Sequence, residues 1–179
     1  MKVNNPAHSL PINSQKTLFG LFFGLTIILF LVFGITGEPL NTDSAPFGII
    51  SFELAGSVEV SESILSSWDD DAQTRATFGL GLDFLFIPVY TAALILRCAL
   101  SSRSVESQSR ALPQIGNLLA WGVCLAGFLD MIENVSLLTM LFGDVTAPWP
   151  QIAGVCAIMK FSLIFLALVY AFSARHYPW

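Results

Sequence analysis

Residues 18–37 (LFGLFFGLTIILFLVFGITG) run for twenty positions without a charged side chain. At 1.5 Å per residue such a run makes a helix of about 30 Å, the thickness of a bilayer's hydrocarbon core. Three more apolar blocks follow, at 78–100, 115–142 and 152–174. Four such blocks must be buried somewhere, and the charge content decides where. Only 12% of the residues are charged and 54% are hydrophobic, with a mean hydropathy of +0.69. Soluble domains carry roughly 25% charge, so a water-facing surface cannot be built from this chain. The expected fold class is all-α: an integral membrane bundle of four transmembrane helices, with the lipid bilayer as its first partner. Pro39, Pro113, Pro148 and Pro150 mark block ends, where a missing backbone donor does no harm. A cleaved signal peptide is the rival reading of the first block, since Lys2 and Lys16 precede it. No A-x-A-like site follows before Glu38 and Pro39, so an uncleaved first helix is expected.

The basic residues give the threading. Lys2 and Lys16 precede the first block, Arg97 closes the second and Arg103 and Arg110 follow it before the third, and Arg175 follows the fourth. Segment 38–77 has Arg75 alone against Glu38, Asp43, Glu53, Glu59, Glu62, Asp69, Asp70 and Asp71. The positive-inside rule then orders the chain. A cytoplasmic tail (1–17) leads into span one (18–37), an acidic extracytoplasmic segment (38–77) and span two (78–100). A cytoplasmic loop (101–114), span three (115–142), an outer turn (143–151), span four (152–174) and a cytoplasmic tail (175–179) complete it. Both termini are expected in the cytoplasm.

The 38–77 segment is too apolar to be a free linker. Phe47, Ile50, Phe52, Leu54, Ile64, Leu65 and Trp68 are expected to be buried against the bundle or the membrane surface. Ile64, Leu65 and Trp68 recur at helical spacing, which predicts one or two short helices capped near Ser61 or Ser63. Such helices either lie in the membrane interface or close over the bundle as a lid, with Phe52, Glu53 and Trp68 as lid residues. Trp149, Tyr177 and Trp179 are expected as interfacial anchors.

Against the apolar blocks, Asp83 in span two, Asp130, Glu133 and Asn134 in span three and Lys160 in span four stand out. Each charge at such depth costs a few kcal/mol on insertion scales and needs a partner or a water-filled cavity. Gly116, Ala120, Cys124, Gly127, Asp130 and Asn134 recur every three or four residues. So do Ala153, Ala157, Lys160, Ala167 and Ala171, with Ile164 between Lys160 and Ala167. Small residues let helices approach closely, so these stripes should face the bundle and carry the charges inward. Two readings stay open. Lys160 forms a buried ion pair with Asp130 or Glu133 that sets helix register, or the acids line a protonatable or cation-binding cavity open to the outside. Tyr90 lies seven residues after Asp83, on the same helix face, with Pro88 between them as an expected kink. Gly20 and Gly24 form a small-xxx-small pair that serves packing within the bundle or a homo-oligomer.

The net charge of −5 and the lack of a basic run exclude nucleic-acid binding. His8 and His176 lie outside the blocks, so no intramembrane His-ligated haem is expected. Cys98, Cys124 and Cys156 are isolated and read as small core residues, which argues against structural zinc and disulfide exchange. No metal, cofactor or catalytic motif is expected.

Phe52-Glu53-Leu54-Ala55, Trp68, Leu82-Asp83-Phe84-Leu85-Phe86 with Tyr90, and Asp130-x-x-Glu133-Asn134 form a recognisable combination. Over residues 47–140 it resembles a group of small bacterial four-helix membrane proteins with LDFLF-like and DxxEN-like segments. The resemblance implies this topology and a bacterial cytoplasmic membrane, and it names no reaction. The expected function is non-catalytic: binding a protein partner or a small apolar ligand through an outer-leaflet cavity. That cavity would be lined by Asp83, Tyr90, Asp130, Glu133, Asn134 and Lys160. The alternative is a proton-linked small transporter or a membrane-embedded enzyme using Asp83, Asp130, Glu133 and Lys160.

Overall fold

A computed structural model describes residues 4–106 and 111–173; among them the regular structure is entirely helical. Helix α1 spans Ile12–Thr36, and a 3-10 turn Glu38–Leu40 follows it. Then come α2 (Ile49–Glu53), α3 (Val58–Ser67), α4 (Asp70–Ser104), α5 (Ala111–Leu141) and α6 (Trp149–Ser173). α1, α4, α5 and α6 are each long and apolar enough to cross a membrane. With four such helices among the described residues, this is a multi-pass, all-α protein. Lys2, Arg110, Arg175, His176, Tyr177 and Trp179 lie outside the described residues, and with them two of the three expected anchors.

Helix α4 begins at Asp70, eight residues before the apolar block it contains. Asp69 starts it: its carboxylate accepts from Ala72 N at 2.8 Å and its carbonyl from Gln73 N at 2.9 Å. These bonds satisfy donors that a helix start leaves open. At 35 residues α4 is about 52 Å long, well beyond a bilayer core, and its extra first turns carry Asp70, Asp71, Thr74 and Arg75. The helix continues through Pro88.

The chain divides into two compact units, and each takes one half of every long helix. The first holds the described residues of Met1–Thr26, Pro88–Gly127 and Lys160–Trp179; the second holds Ile27–Ile87 and Phe128–Met159. Charge follows the same division. The sequence ranges of the second unit contain every Asp and Glu except Glu106, and of the Lys and Arg only Arg75.

In the first unit Cys98, Ala120, Val123, Ala167 and Tyr170 form one core cluster, and Ala7, Leu96 and Ala99 another. Gly116 is the close-approach point. A Cβ there would stand 2.2 Å from Ser102 Oγ and 2.4 Å from Tyr170 Oη, so no side chain fits. The Tyr170 hydroxyl donates to Leu112 O at 3.0 Å across that gap. Residues 4–11 are no loose tail. Trp121 Nε1 donates to Asn4 O at 2.9 Å, Gln15 Nε2 donates to Ala7 O at 2.8 Å, and Ala7 itself is buried. Arg97 reaches across to the Ala171 carbonyl at 2.9 Å, supplying a cation near the last turn of α6.

In the second unit the core joins Leu40, Ala45, Phe52, Ile64 and Trp68 to Ala72, Ala76 and Leu80 of α4. Leu137 and Met140 of α5 and Ala153 of α6 complete it. Segment 38–77, the expected lid, packs on the long helices through these residues. One expectation for the segment is corrected. The cap of α3 is Ser57, extended at φ −139° and accepting from Val60 N, while Ser61 is fully buried. Phe47, Ile50 and Leu54 are exposed on the protein, because the short α2 turns only Phe52 and Glu53 inward. α1 differs from the other long helices in that Gln15 is its only buried residue. Nothing lies within 4 Å of a Cβ placed on Gly20 or Gly24, so packing within this chain does not use that pair.

Candidate functional site

The two small-residue stripes do face inward. On α5 Gly116, Ala120, Gly127, Asp130 and Asn134 are buried, with Cys124 half-buried; on α6 Ala153, Ala157, Lys160, Ala167 and Ala171 are buried. Helical periodicity was therefore enough to turn the charges away from lipid, as the cost of a lipid-facing charge requires.

Asp130, Glu133 and Asn134 share one face of α5 by their spacing of three and four, and all are at most 3% exposed. Asn134 reaches α4, where its Nδ2 donates to Asp83 Oδ2 at 2.6 Å. This bond links the two sequence segments that stood out, LDFLF and DxxEN. A carboxylate takes such a donor strongly, since charge-assisted bonds are shorter and roughly twice as strong as neutral ones. Leu137, three residues on along α5, is fully buried in the apolar core that segment 38–77 helps to form. The acids thus sit in the same unit as that core.

The lid residues are held in place individually. Phe52 meets Trp68 edge to face, with centroids 5.4 Å apart at 70°. Trp68 Nε1 donates to Leu40 O at 2.9 Å, so the buried indole leaves no orphan donor. Gln73 Nε2 on α4 donates to Trp68 O at 3.2 Å and to Leu65 O at 3.3 Å, tying the end of α3 to α4. Glu53 is buried beside Phe52, and its carbonyl would lie 3.8 Å from a Cβ on Gly154 of α6. The same Cβ would be 3.3 Å from Gly56 Cα. Lid backbone and helix backbone meet at two glycines, and Gly56 also has φ +67°, which disfavours any side chain.

Of the expected site, Asp83, Asp130, Glu133 and Asn134 share the second unit with Phe52, Glu53 and Trp68. Tyr90 and Lys160, both buried at 5% exposure, belong to the first unit. Asp83, Tyr90, Glu53, Asp130, Glu133 and Lys160 all have interaction partners. Among the described residues no three His, Cys, Asp or Glu are placed to hold a metal ion together.

Sequence reasoning missed a groove in the second unit, of about 260 Å³, lined by Met131, Ile132, Val135, Ser136, Trp149 and Ile152. None of the buried acids lines it. Its signal was faint: Trp149 stood out as an anchor, but apolar neighbours on two lipid-crossing helices look alike in sequence. Trp149 is tied to the turn before α6, its Nε1 donating to Asp144 Oδ2 at 3.1 Å. Thr146 Oγ1 donates to Asp144 Oδ1 at 2.5 Å, and these two bonds hold the exposed Asp144 carboxyl below its ordinary range. Across protein-family models, curated proteins and solved structures, nothing matches this chain.

Proposed function

We propose that this chain is a non-catalytic protein of a bacterial cytoplasmic membrane, with both of its ends in the cytoplasm and the lid outside. It binds a protein partner or small apolar ligand through a cavity beneath the lid, with Asp83, Asp130, Glu133 and Asn134 as its polar lining. The observation that supports this best is the company the acids keep. Glu53, Asp83, Asp130 and Glu133 are buried or half-buried together in one unit, with the core that packs segment 38–77 onto the long helices. A bare structural role would not need so many interior carboxylates, because each is costly to keep from water. The segregation of charge between the units supports the orientation, since basic residues are retained on the cytoplasmic side.

The same surplus of acid favours the second reading, a proton-linked transporter or membrane-embedded enzyme, in which a carboxyl holds and releases a proton. Lys160→Met, Glu133→Gln, Asp130→Asn, Asp83→Asn and the Lys160 doubles decide the matter. Thermal stability in detergent is read beside proton flux and binding of a neutral solvatochromic dye in vesicles. Binding predicts that Asp83→Asn and Glu133→Gln lose the dye with no proton flux in any variant. Transport predicts a flux in the unaltered protein that those variants abolish. A purely structural pair predicts neither, with stability lost in Lys160→Met and regained in one of the doubles.

A further inference from the structure

The groove between α5 and α6 has its own chemistry, separate from the buried acids. Its two polar side chains are already engaged: Ser136 Oγ donates to Ile132 O at 3.0 Å, and Trp149 Nε1 donates to Asp144. An occupant finds no free side-chain hydrogen-bond donor inside and almost entirely apolar walls, which selects hydrocarbon. At about 260 Å³ the groove is smaller than the roughly 300–1,000 Å³ of pockets that enclose drug-sized ligands, so the occupant is slender. Met131 lies ten residues before the end of α5 at Leu141, about 15 Å along the helix. The groove therefore runs with the helices, from Met131 up to Trp149. Both helices are long and apolar enough to cross a membrane, and hydrocarbon at that depth is acyl chain.

The mouth separates this groove from an ordinary lipid-facing surface. Trp149 ends it, and the exposed Asp144 carboxylate is bonded to Trp149 there. The unit's one Lys or Arg, Arg75, is paired with Asp71, so an anionic headgroup would meet negative charge with no cation to offset it. An ammonium headgroup meets a carboxylate instead. We propose that this groove seats one acyl chain of an ethanolamine phospholipid, with the lipid ammonium on Asp144. An exposed aspartate is ionised at neutral pH, as the contact requires, and the hydrogen bonds from Thr146 and Trp149 orient its carboxylate at the mouth.

The full chain is reconstituted in phosphatidylcholine vesicles containing a phospholipid with a brominated acyl chain, carrying either an ethanolamine or a glycerol headgroup. Bromine quenches indole emission on contact, and Trp149 is isolated as the difference from Trp149→Phe. The ethanolamine lipid should half-quench Trp149 at a mole fraction roughly two- to fivefold lower than the glycerol lipid, the size of one exposed charge pair. Val135→Phe should fill the groove and remove the excess quenching by both lipids. Val135 is 50% exposed, so the change spares the core, and Met131→Phe serves as a second filler should Val135→Phe fail to fold. Asp144→Asn should keep chain quenching and lose the headgroup preference. Equal mole fractions in the unaltered protein, or a preference that survives Asp144→Asn, overturn the headgroup contact. Quenching unchanged by both fillers overturns the chain site and leaves only boundary lipid. None of these readouts depends on the buried acids, so the site beneath the lid stands or falls separately.

Discussion

At the scale of residues, the Asp83–Asn134 bond is the most exacting contact in the second unit. Asn134→Leu removes the donor while leaving the carboxylate in a water-poor site, and should cost about 1–3 kcal/mol of stability. Adding Asp83→Leu should recover part of that loss, because apolar groups replace both partners. Thermal denaturation of the two singles and the double in detergent gives the coupling directly; additive losses would show that the bond contributes nothing. Asp144 makes a different prediction, with a sign. Its carboxyl titrates lower in the folded protein than its ordinary value of 3.8, so the turn's contribution is complete above that value. It is lost as pH falls through the lowered folded value. Trp149 emission should stay constant from neutral pH to about pH 4 and change only in stronger acid, and Thr146→Val should move the change upward. A transition near neutral pH would contradict the hydrogen-bonded turn.

At the scale of elements, the lid depends on how it starts and on where it touches. Ser57→Ala removes the α3 cap and should cost about 1 kcal/mol, felt as faster amide exchange over the first turn of α3. Glu59, in that same turn, is held below its ordinary value by a backbone hydrogen bond and by Ser57, so the capped turn loosens only in acid. Gly154→Leu acts at the other end. Its side chain would start 3.3 Å from Gly56 Cα, where backbone on both sides leaves little room to yield. The lid should lift, and protection of the Trp68 amide should fall while the first unit keeps its own. Unchanged exchange at Trp68 would mean that the lid yields without leaving its seat. The boundaries of these elements were only partly legible. The serines of α3 offered several capping residues at helical starts, and Ser61 is buried because Ile64 three residues on turns that face inward. Likewise Asp69 could cap α4, but a run of three aspartates reads equally well as solvated loop.

At the scale of the molecule, charge segregation is the property with the widest consequences. Reporter fusions after Ser173 and at Ser57 should report opposite compartments, with the Ser173 fusion in the cytoplasm. Arg75→Ala should leave that result unchanged, since the outer segment needs no basic residue. Both reporters on one side would remove the four-span threading. By itself the sequence determined that the chain is helical, how many helices can cross a membrane, and which faces of α5 and α6 turn inward. Those properties follow from block length and from a period of 3.6, both of which are local. Only the tertiary structure decided that segment 38–77 packs on the long helices, that Asn134 meets Asp83, and that Phe52 turns toward those helices while Phe47, Ile50 and Leu54 do not. It alone located the groove ending at Trp149. Each of these is a contact between segments far apart in the chain. No period along one helix records which residue of another will stand opposite it.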